Sequence, residues 1–381
     1  MWSVADCIDK FKSLCKDAFT HRAPSSLRTL TMISRKSIYK TKPLETALQD
    51  AFDADELLYG KSKAGGSGDI QVAVTSTRAV DRRPVILSNY NTEGQRDTCE
   101  QPDSSDSLSL TTACTNHHPL LVSYKFLRPR DPTNELKIWE AARATAAAPP
   151  YFKPFLQHES TETYTDGAIH HNCPVSIADD ERRLLWEEVS DWPPDIMLSL
   201  GTGLSTSQRK RHPSSPSLAT PTTPTAAGPS DNVRNWLQRS HGVGLMFWAA
   251  KTIVESQLNC EEAWKKYCAR ATPPGRAQSA ENLRRNVRLN VEFQGPRPEL
   301  DDVDKLDRVE QYVRSYMGDT EFRARIHEVA HMLVASSFYF EKFASGVLER
   351  STGMYRYDGK YQRLLSTRIA LWKLALLVTS A

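Results

Sequence analysis

Apolar residues return at helical spacing from the first turn of the chain. Val4, Cys7, Ile8, Phe11, Leu14, Cys15 and Ala18 fall on one face, with Ser3 in the capping position. Pro43 opens a second helical pattern through Leu44, Ala47, Leu48, Ala51 and Phe52. The period then shortens. Ile70 to Thr75 and Pro84 to Ser88 read as strands joined by the charged turn Arg78 to Arg83, and Leu120 to Leu127 reads as a third. Glu135 to Ala147 is predicted as a helix stopped by Pro149-Pro150. A short strand or turn follows at Thr163 to Ala168, then a helix over Val175 to Glu188. Asp195 to Leu200 reads as a buried strand that ends at Gly201-Thr202-Gly203.

Two stretches break these periods. Asn91 to Pro119 is polar and aperiodic and reads as a surface insertion. Residues 204–230 carry Pro213, Pro216, Pro221, Pro224 and Pro229 in a Ser/Thr-rich background, the composition of a disordered loop or linker. Beyond it a helical pattern runs from Asp231 through Trp236, Phe247 and Trp248. Val287, Leu289, Val291 and Phe293 alternate as one strand, and helices resume near Asp302. The tail Ile369 to Val378 is the most apolar run and reads as a packed last helix; Lys373 interrupts it and it is too short to span a bilayer. The division expected is an α/β layered domain over 1–203 with a mainly parallel sheet, the 204–230 linker, and a mostly helical region over 231–381.

Composition narrows the partners. Over 381 residues, 49 Lys+Arg stand against 46 Asp+Glu, so no strong electrostatic pull toward nucleic acid is expected. The seven cysteines are scattered without a C-x-x-C, and the start of the chain has no secretory leader pattern. Reduced thiols in a cytoplasmic or other intracellular setting, including the surface of a membrane, are the expectation.

Four motifs occur in order. The first is Trp139-Glu140-Ala141-Ala142-Arg143-Ala144-Thr145-Ala146-Ala147-Ala148-Pro149-Pro150-Tyr151-Phe152. The others are Asp166-Gly167-Ala168, Asn172-Cys173-Pro174, and Ser199-Leu200-Gly201-Thr202-Gly203. Together they resemble the second half of a patatin-like phospholipase domain of the fungal type, over roughly residues 1–203. The resemblance implies a three-layer α/β fold and lipid acyl-ester hydrolysis by a Ser-Asp dyad, with no metal or cofactor. It implies Asp166 as the dyad base, Gly167 and Ala168 as the turn after it, and Asn172 as the residue holding the following loop. Cys173 stands where the family commonly has a second Asn. The implied substrate is a lipid or phospholipid, met at a membrane surface.

The nucleophile belongs in a G-x-S-x-G elbow, and none of the 381 residues forms one: Gly65-Gly66-Ser67-Gly68-Asp69 fails at its last position. In the family that elbow and the oxyanion segment precede the helix that opens this chain. The chain is therefore expected to be a fragment or an inactive relative, with apolar surface exposed where those elements would pack.

Two other function classes have a sequence basis. His327-Glu328-Val329-Ala330-His331 matches H-E-x-x-H, the zinc-peptidase pattern, in which two His at i and i+4 share a helix face and Glu328 is the base. Phe322, Ile326, Val329 and Leu333 form the apolar stripe of that helix, which turns both His toward solvent, and Glu341 or Glu349 is the only third ligand on offer. The other class is a lipid- or protein-binding module without chemistry. No G-x-x-x-x-G-K-[ST] occurs, so no nucleotide-binding domain accompanies it in these residues.

Overall fold

A computed structural model describes residues 3–22, 24, 37–59, 70–92, 124–129, 131–187, 190–205, 260–271, 284–295 and 298–336. It also describes the short strands at 338–342, 347–349, 354–356, 359–363 and 374–376. Most of the predicted insertion, the linker from residue 206 onward and the helix predicted through Trp236 and Trp248 lie outside the described residues.

The central sheet is built from β1 (Gln71–Arg78), β2 (Pro84–Ser88), β3 (Lys125–Phe126), β4 (Phe155–Leu156) and β5 (Thr163–Asp166), in the order β3-β2-β1-β5-β4. It is mixed rather than uniformly parallel. β1–β2, β1–β5 and β4–β5 are antiparallel, whereas β2–β3 is parallel. The turn between β1 and β2 is too short for a crossover, so that pair can only be antiparallel. Parallel pairing is regained further on. β6 (Met197–Leu200) pairs with β8 (Asn286–Leu289), and β7 (Leu204–Ser205) with β9 (Glu292–Phe293), both parallel. Leu204 and Ser205, assigned by composition to the linker, are thus strand residues.

Successive residues of β2 face opposite sides. Val85 and Leu87 point to one face and meet Leu136, Ala141, Ala144, Ala147, Phe155 and Tyr164. Ala141 and Ala144 come from α3 (Ile138–Thr145) and let the helix lie close on the sheet, and Ala147 follows its end. Ile86 points to the other face with Ala73, Tyr90, Tyr124 and Ile177, the last from α5 (Val175–Leu185). Helix, sheet and helix make the three layers of an α/β fold.

A third cluster gathers α1 (Val4–Ala18) and α2 (Thr41–Phe52) around Tyr39 and Phe152. Ser3 caps α1 through a reciprocal pair with Asp6. Of the seven apolar positions on α1 only Cys15 and Ala18 are buried, and Val4 and Phe11 are exposed. α4 (Ala168–His171) follows β5 and touches β1, and α6 (Cys260–Ala271) touches α5. α7 (Leu306–Met317) and α8 (Thr320–Ala335) continue the helical region.

After residue 335 the chain turns to strands. β10 (Phe338–Lys342) pairs with β13 (Gly359–Arg363), and β11 (Val347–Glu349) with β12 (Met354–Arg356), all antiparallel. The apolar tail is not a helix where it is described: β14 (Leu374–Leu376) lies parallel to β1 in the central sheet.

Candidate active site

β5 ends at Asp166, whose side chain is 1% exposed. The strand brings it there through a buried seam of hydroxyls. Ser76 Oγ donates to the Thr165 carbonyl at 2.8 Å, Thr77 Oγ1 to the Asp166 carbonyl at 3.0 Å, and Thr165 Oγ1 to the Thr77 carbonyl at 3.3 Å. Buried Ser and Thr are tolerated here because each hydroxyl finds a neighbouring strand's carbonyl. The Asp166 amide donates to the Ala147 carbonyl at 3.1 Å, which ties the carboxylate to the chain leaving α3.

The carboxylate itself accepts one hydrogen bond among the described residues, from the Ala168 amide to Oδ1 at 2.7 Å. One neutral donor does not offset the loss of water, and burial pushes the Asp166 carboxyl up to about 7. Such a group holds or releases a proton near neutral pH, which a surface aspartate does not.

Gly167 was expected to serve a tight turn, but its φ is −70°, open to any residue. The reason for glycine is close approach. A β-carbon on it would stand 2.2 Å from the Thr75 carbonyl oxygen and 2.3 Å from Thr75 Oγ1. Ala168 opens α4, and the His170 and His171 amides donate back to the Gly167 carbonyl at 3.2 and 3.0 Å.

Asn172 follows α4. Its Oδ1 is buried without a hydrogen-bond partner among the described residues, as is Nε2 of His171. Burial, with His170 beside it, holds the His171 imidazole down at about 4, so it is neutral at pH 7. His170 is also lowered by burial, while its Nε2 lies 2.9 Å from the Arg82 carbonyl. The unpartnered His171 and Asn172 atoms belong to residues five and six positions after Asp166 in the chain.

Sequence reasoning missed the neighbours supplied by β8. Arg288 Nη1 lies 3.8 Å from Cys173 Sγ and donates to Ser199 Oγ at 2.7 Å, while Nε donates to Glu261 at 2.7 Å. Asn290 Oδ1 accepts from the Gly203 amide at 2.8 Å, and Gly203 has φ +107°, a conformation that favours glycine. Arg288 was legible only as a charge inside an alternating run. Nothing local points it at residues about ninety positions upstream.

The H-E-x-x-H residues lie elsewhere, on α8. His327, Glu328 and His331 are all exposed, the two imidazole centres are 6.5 Å apart, and Glu328 lies 4.0 Å from Arg284. Of the expected stripe only Val329 is buried, and Leu333 is 47% exposed. Among the described residues no third His, Cys, Asp or Glu joins the two His in a group able to hold a metal ion.

Residues 1–179 match the patatin-like phospholipase family. Among individual proteins, the chain is similar to calcium-independent phospholipase A2-gamma. It is 36% identical to the Homo sapiens protein over 69 residues, 18% of this chain and 8% of that one. It is 34% identical to the Oryctolagus cuniculus protein over 86 residues, 23% of this chain and 10% of that one. The Mus musculus protein is 35% identical over 69 residues, 18% of this chain and 8% of its own length. The matched segment spans a tenth or less of these relatives. Among the described residues no helix is long and apolar enough to cross a membrane.

Proposed function

We propose that this chain carries the proton-accepting half of a lipid acyl-ester hydrolase site, with Asp166 as the carboxylate. The observation that carries the reading is one fully buried carboxyl at a strand end, raised to about 7, inside a patatin-like segment. Asp166 Oδ1 is engaged by the Ala168 amide, and Oδ2 takes the proton of a serine hydroxyl. The serine oxygen then attacks the ester carbonyl carbon. Asp166 returns the proton to the departing alcohol, and water releases the acyl group by the same exchange. Gly167 and Ala168 hold the carboxylate in place, and Asn172 holds the loop behind it. The substrate is a phospholipid or related acyl ester taken from a membrane surface, and no metal takes part.

None of the 381 residues forms a G-x-S-x-G, so we propose that these residues alone bind lipid without turning it over. The test compares hydrolysis of a fluorogenic phospholipid by the chain and by Asp166→Asn. Equal background rates are expected from the 381 residues. If the native transcript encodes an in-frame serine elbow, the longer protein is expected to hydrolyse the lipid and to lose at least about 1,000-fold in kcat on Asp166→Asn. Turnover by the longer protein that survives Asp166→Asn would overturn the assignment. Failure of the 381 residues to float with phospholipid vesicles would remove the lipid-binding part of it.

A further inference from the structure

α8 is regular helix through the whole of its H-E-x-x-H segment. Asp319 caps it, accepting from the Glu321 and Phe322 amides at 3.0 and 3.3 Å, and the Arg323 amide donates to the Asp319 carbonyl at 2.8 Å. At the other end the Ser336 amide donates to the Met332 carbonyl at 2.8 Å. His327 and His331 fall between these ends, one turn apart, so their β-carbons stand about 5–6 Å from each other on one face. Both are exposed. Val329, the buried residue of α8, lies about 160° round the helix from each of them.

The two ring centres are 6.5 Å apart, with 53° between the ring planes. A pair of metal–nitrogen bonds of about 2.1 Å, set about 90–110° from each other, holds two ring centres about 5 Å apart. Rotation about the side-chain torsions of two exposed residues closes that difference, and no backbone has to move. Imidazole nitrogen suits Zn²⁺, Ni²⁺ and Cu²⁺, whereas Mg²⁺ and Ca²⁺ take oxygen donors. Glu328 is adjacent to His327 in the chain, a spacing at which helix side chains do not face each other, and it lies 4.0 Å from Arg284. The third protein ligand of a zinc peptidase is thus missing among the described residues, while the pair itself is intact. Two protein ligands leave the remaining positions of an ion to water.

We infer that His327 and His331 form a two-imidazole chelate for a late divalent transition metal, of the class of Zn²⁺, Ni²⁺ or Cu²⁺, and that the bound ion clips the helical turn between them. With a single buried residue, α8 draws little stability from packing, so a clip across one turn holds the helix where its own contacts do not. The inference does not depend on Asp166, and the ion takes no part in ester hydrolysis.

Titration of the full chain with NiCl₂, read by hydrogen exchange, tests it. The ion binds the helical form, so at about ten times its Kd the amides of residues 328–335 should exchange about 10-fold more slowly, with β1 and β2 unchanged. MgCl₂ at the same concentration should have no effect. His327→Ala and His331→Ala are each expected to weaken this binding at least about 10-fold, and Glu328→Gln to leave it unchanged. Both imidazoles are exposed, so neither substitution threatens the fold. Unchanged exchange of 328–335 in the wild-type chain at saturating Ni²⁺ would overturn the inference without any variant. Protection that survives either His substitution would overturn the pairing. An equal loss from Glu328→Gln would make the carboxylate a ligand and overturn the two-imidazole assignment.

Discussion

Gly167 lies against Thr75 so closely that a β-carbon would meet the Thr75 carbonyl oxygen at 2.2 Å. That oxygen is backbone, and it is already bonded to Thr145 Oγ1. Neither partner can yield by turning a side chain. Gly167→Ala is therefore expected to cost about 3 kcal/mol, at the upper end for overpacking. Urea unfolding measures it. A loss under about 0.5 kcal/mol would mean that the turn after Asp166 moves freely, against the rigid placement described here.

Asp166 gives stability a pH dependence of known sign. Its folded value near 7 lies above the ordinary carboxylate range, so its contribution is fully present below about pH 4 and is lost as pH rises through 7. His171 works the other way. With a folded value near 4, its contribution is present above about pH 6.5 and is lost as pH falls through 4. The two oppose each other between pH 4 and 6.5, so the wild-type profile alone does not separate them. Asp166→Asn does, because Asn keeps an oxygen for the Ala168 amide and carries no charge. The variant is expected to match wild type near pH 4 and to exceed it by up to about 4 kcal/mol at pH 8. A stability difference that does not change with pH would show that Asp166 titrates as an ordinary carboxylate.

Glu181 is fully buried and gathers three hydroxyls. Tyr90 Oη and Thr92 Oγ1 donate to Oε2 at 3.0 and 3.3 Å, and Tyr124 Oη to Oε1 at 2.7 Å. Tyr90 precedes the polar insertion, Thr92 is its second residue and Tyr124 follows it, so one carboxylate on α5 holds the chain at both of its ends. Glu181→Ala removes the carboxylate that accepts from three buried hydroxyls and is expected to cost about 3 kcal/mol, with Glu181→Gln near 1 kcal/mol. Hydrogen exchange should rise at residues 90–92 and at 124–126 together. A rise at only one end would separate the two anchors.

What the sequence made legible was local. The strands β1 and β2, the alanine-rich α3 and the placement of Asp166 at a strand end follow from short-range period and turn chemistry. The neighbours of Cys173 and Gly203 did not, because Arg288 and Asn290 arrive from beyond residue 280. The tail misled for a different reason. A short, nearly continuous apolar run has no period that separates a buried strand from a buried helix, and where the tail is described it pairs as a strand with β1. Arg143 is the clearest override of composition. It is fully buried, donates to the Lys153 carbonyl at 2.8 Å and lies over Phe152 and Phe155.

The N-terminal layer and the helical region are joined by Tyr39 and Asp301. Tyr39 is 1% exposed, sits among Phe19, His21, Tyr151 and Phe152, and donates its hydroxyl to Asp301 Oδ2 at 2.5 Å. Lys12 adds ion pairs to Asp307 and Glu310 on α7, but these are surface pairs and contribute little. A hydrogen bond to a charged acceptor is worth about 1.5 kcal/mol, so Tyr39→Phe and Asp301→Ala should each cost that much. If the bond is what both substitutions remove, the double variant should also cost about 1.5 kcal/mol rather than about 3 kcal/mol. Urea unfolding of the four proteins closes the cycle, with an unchanged denaturant slope showing that both regions still unfold as one unit. Additive losses would mean that the two substitutions act independently and that this bond is not what they remove. A second unfolding transition in either single variant would mean that this bond holds the two regions in one cooperative fold.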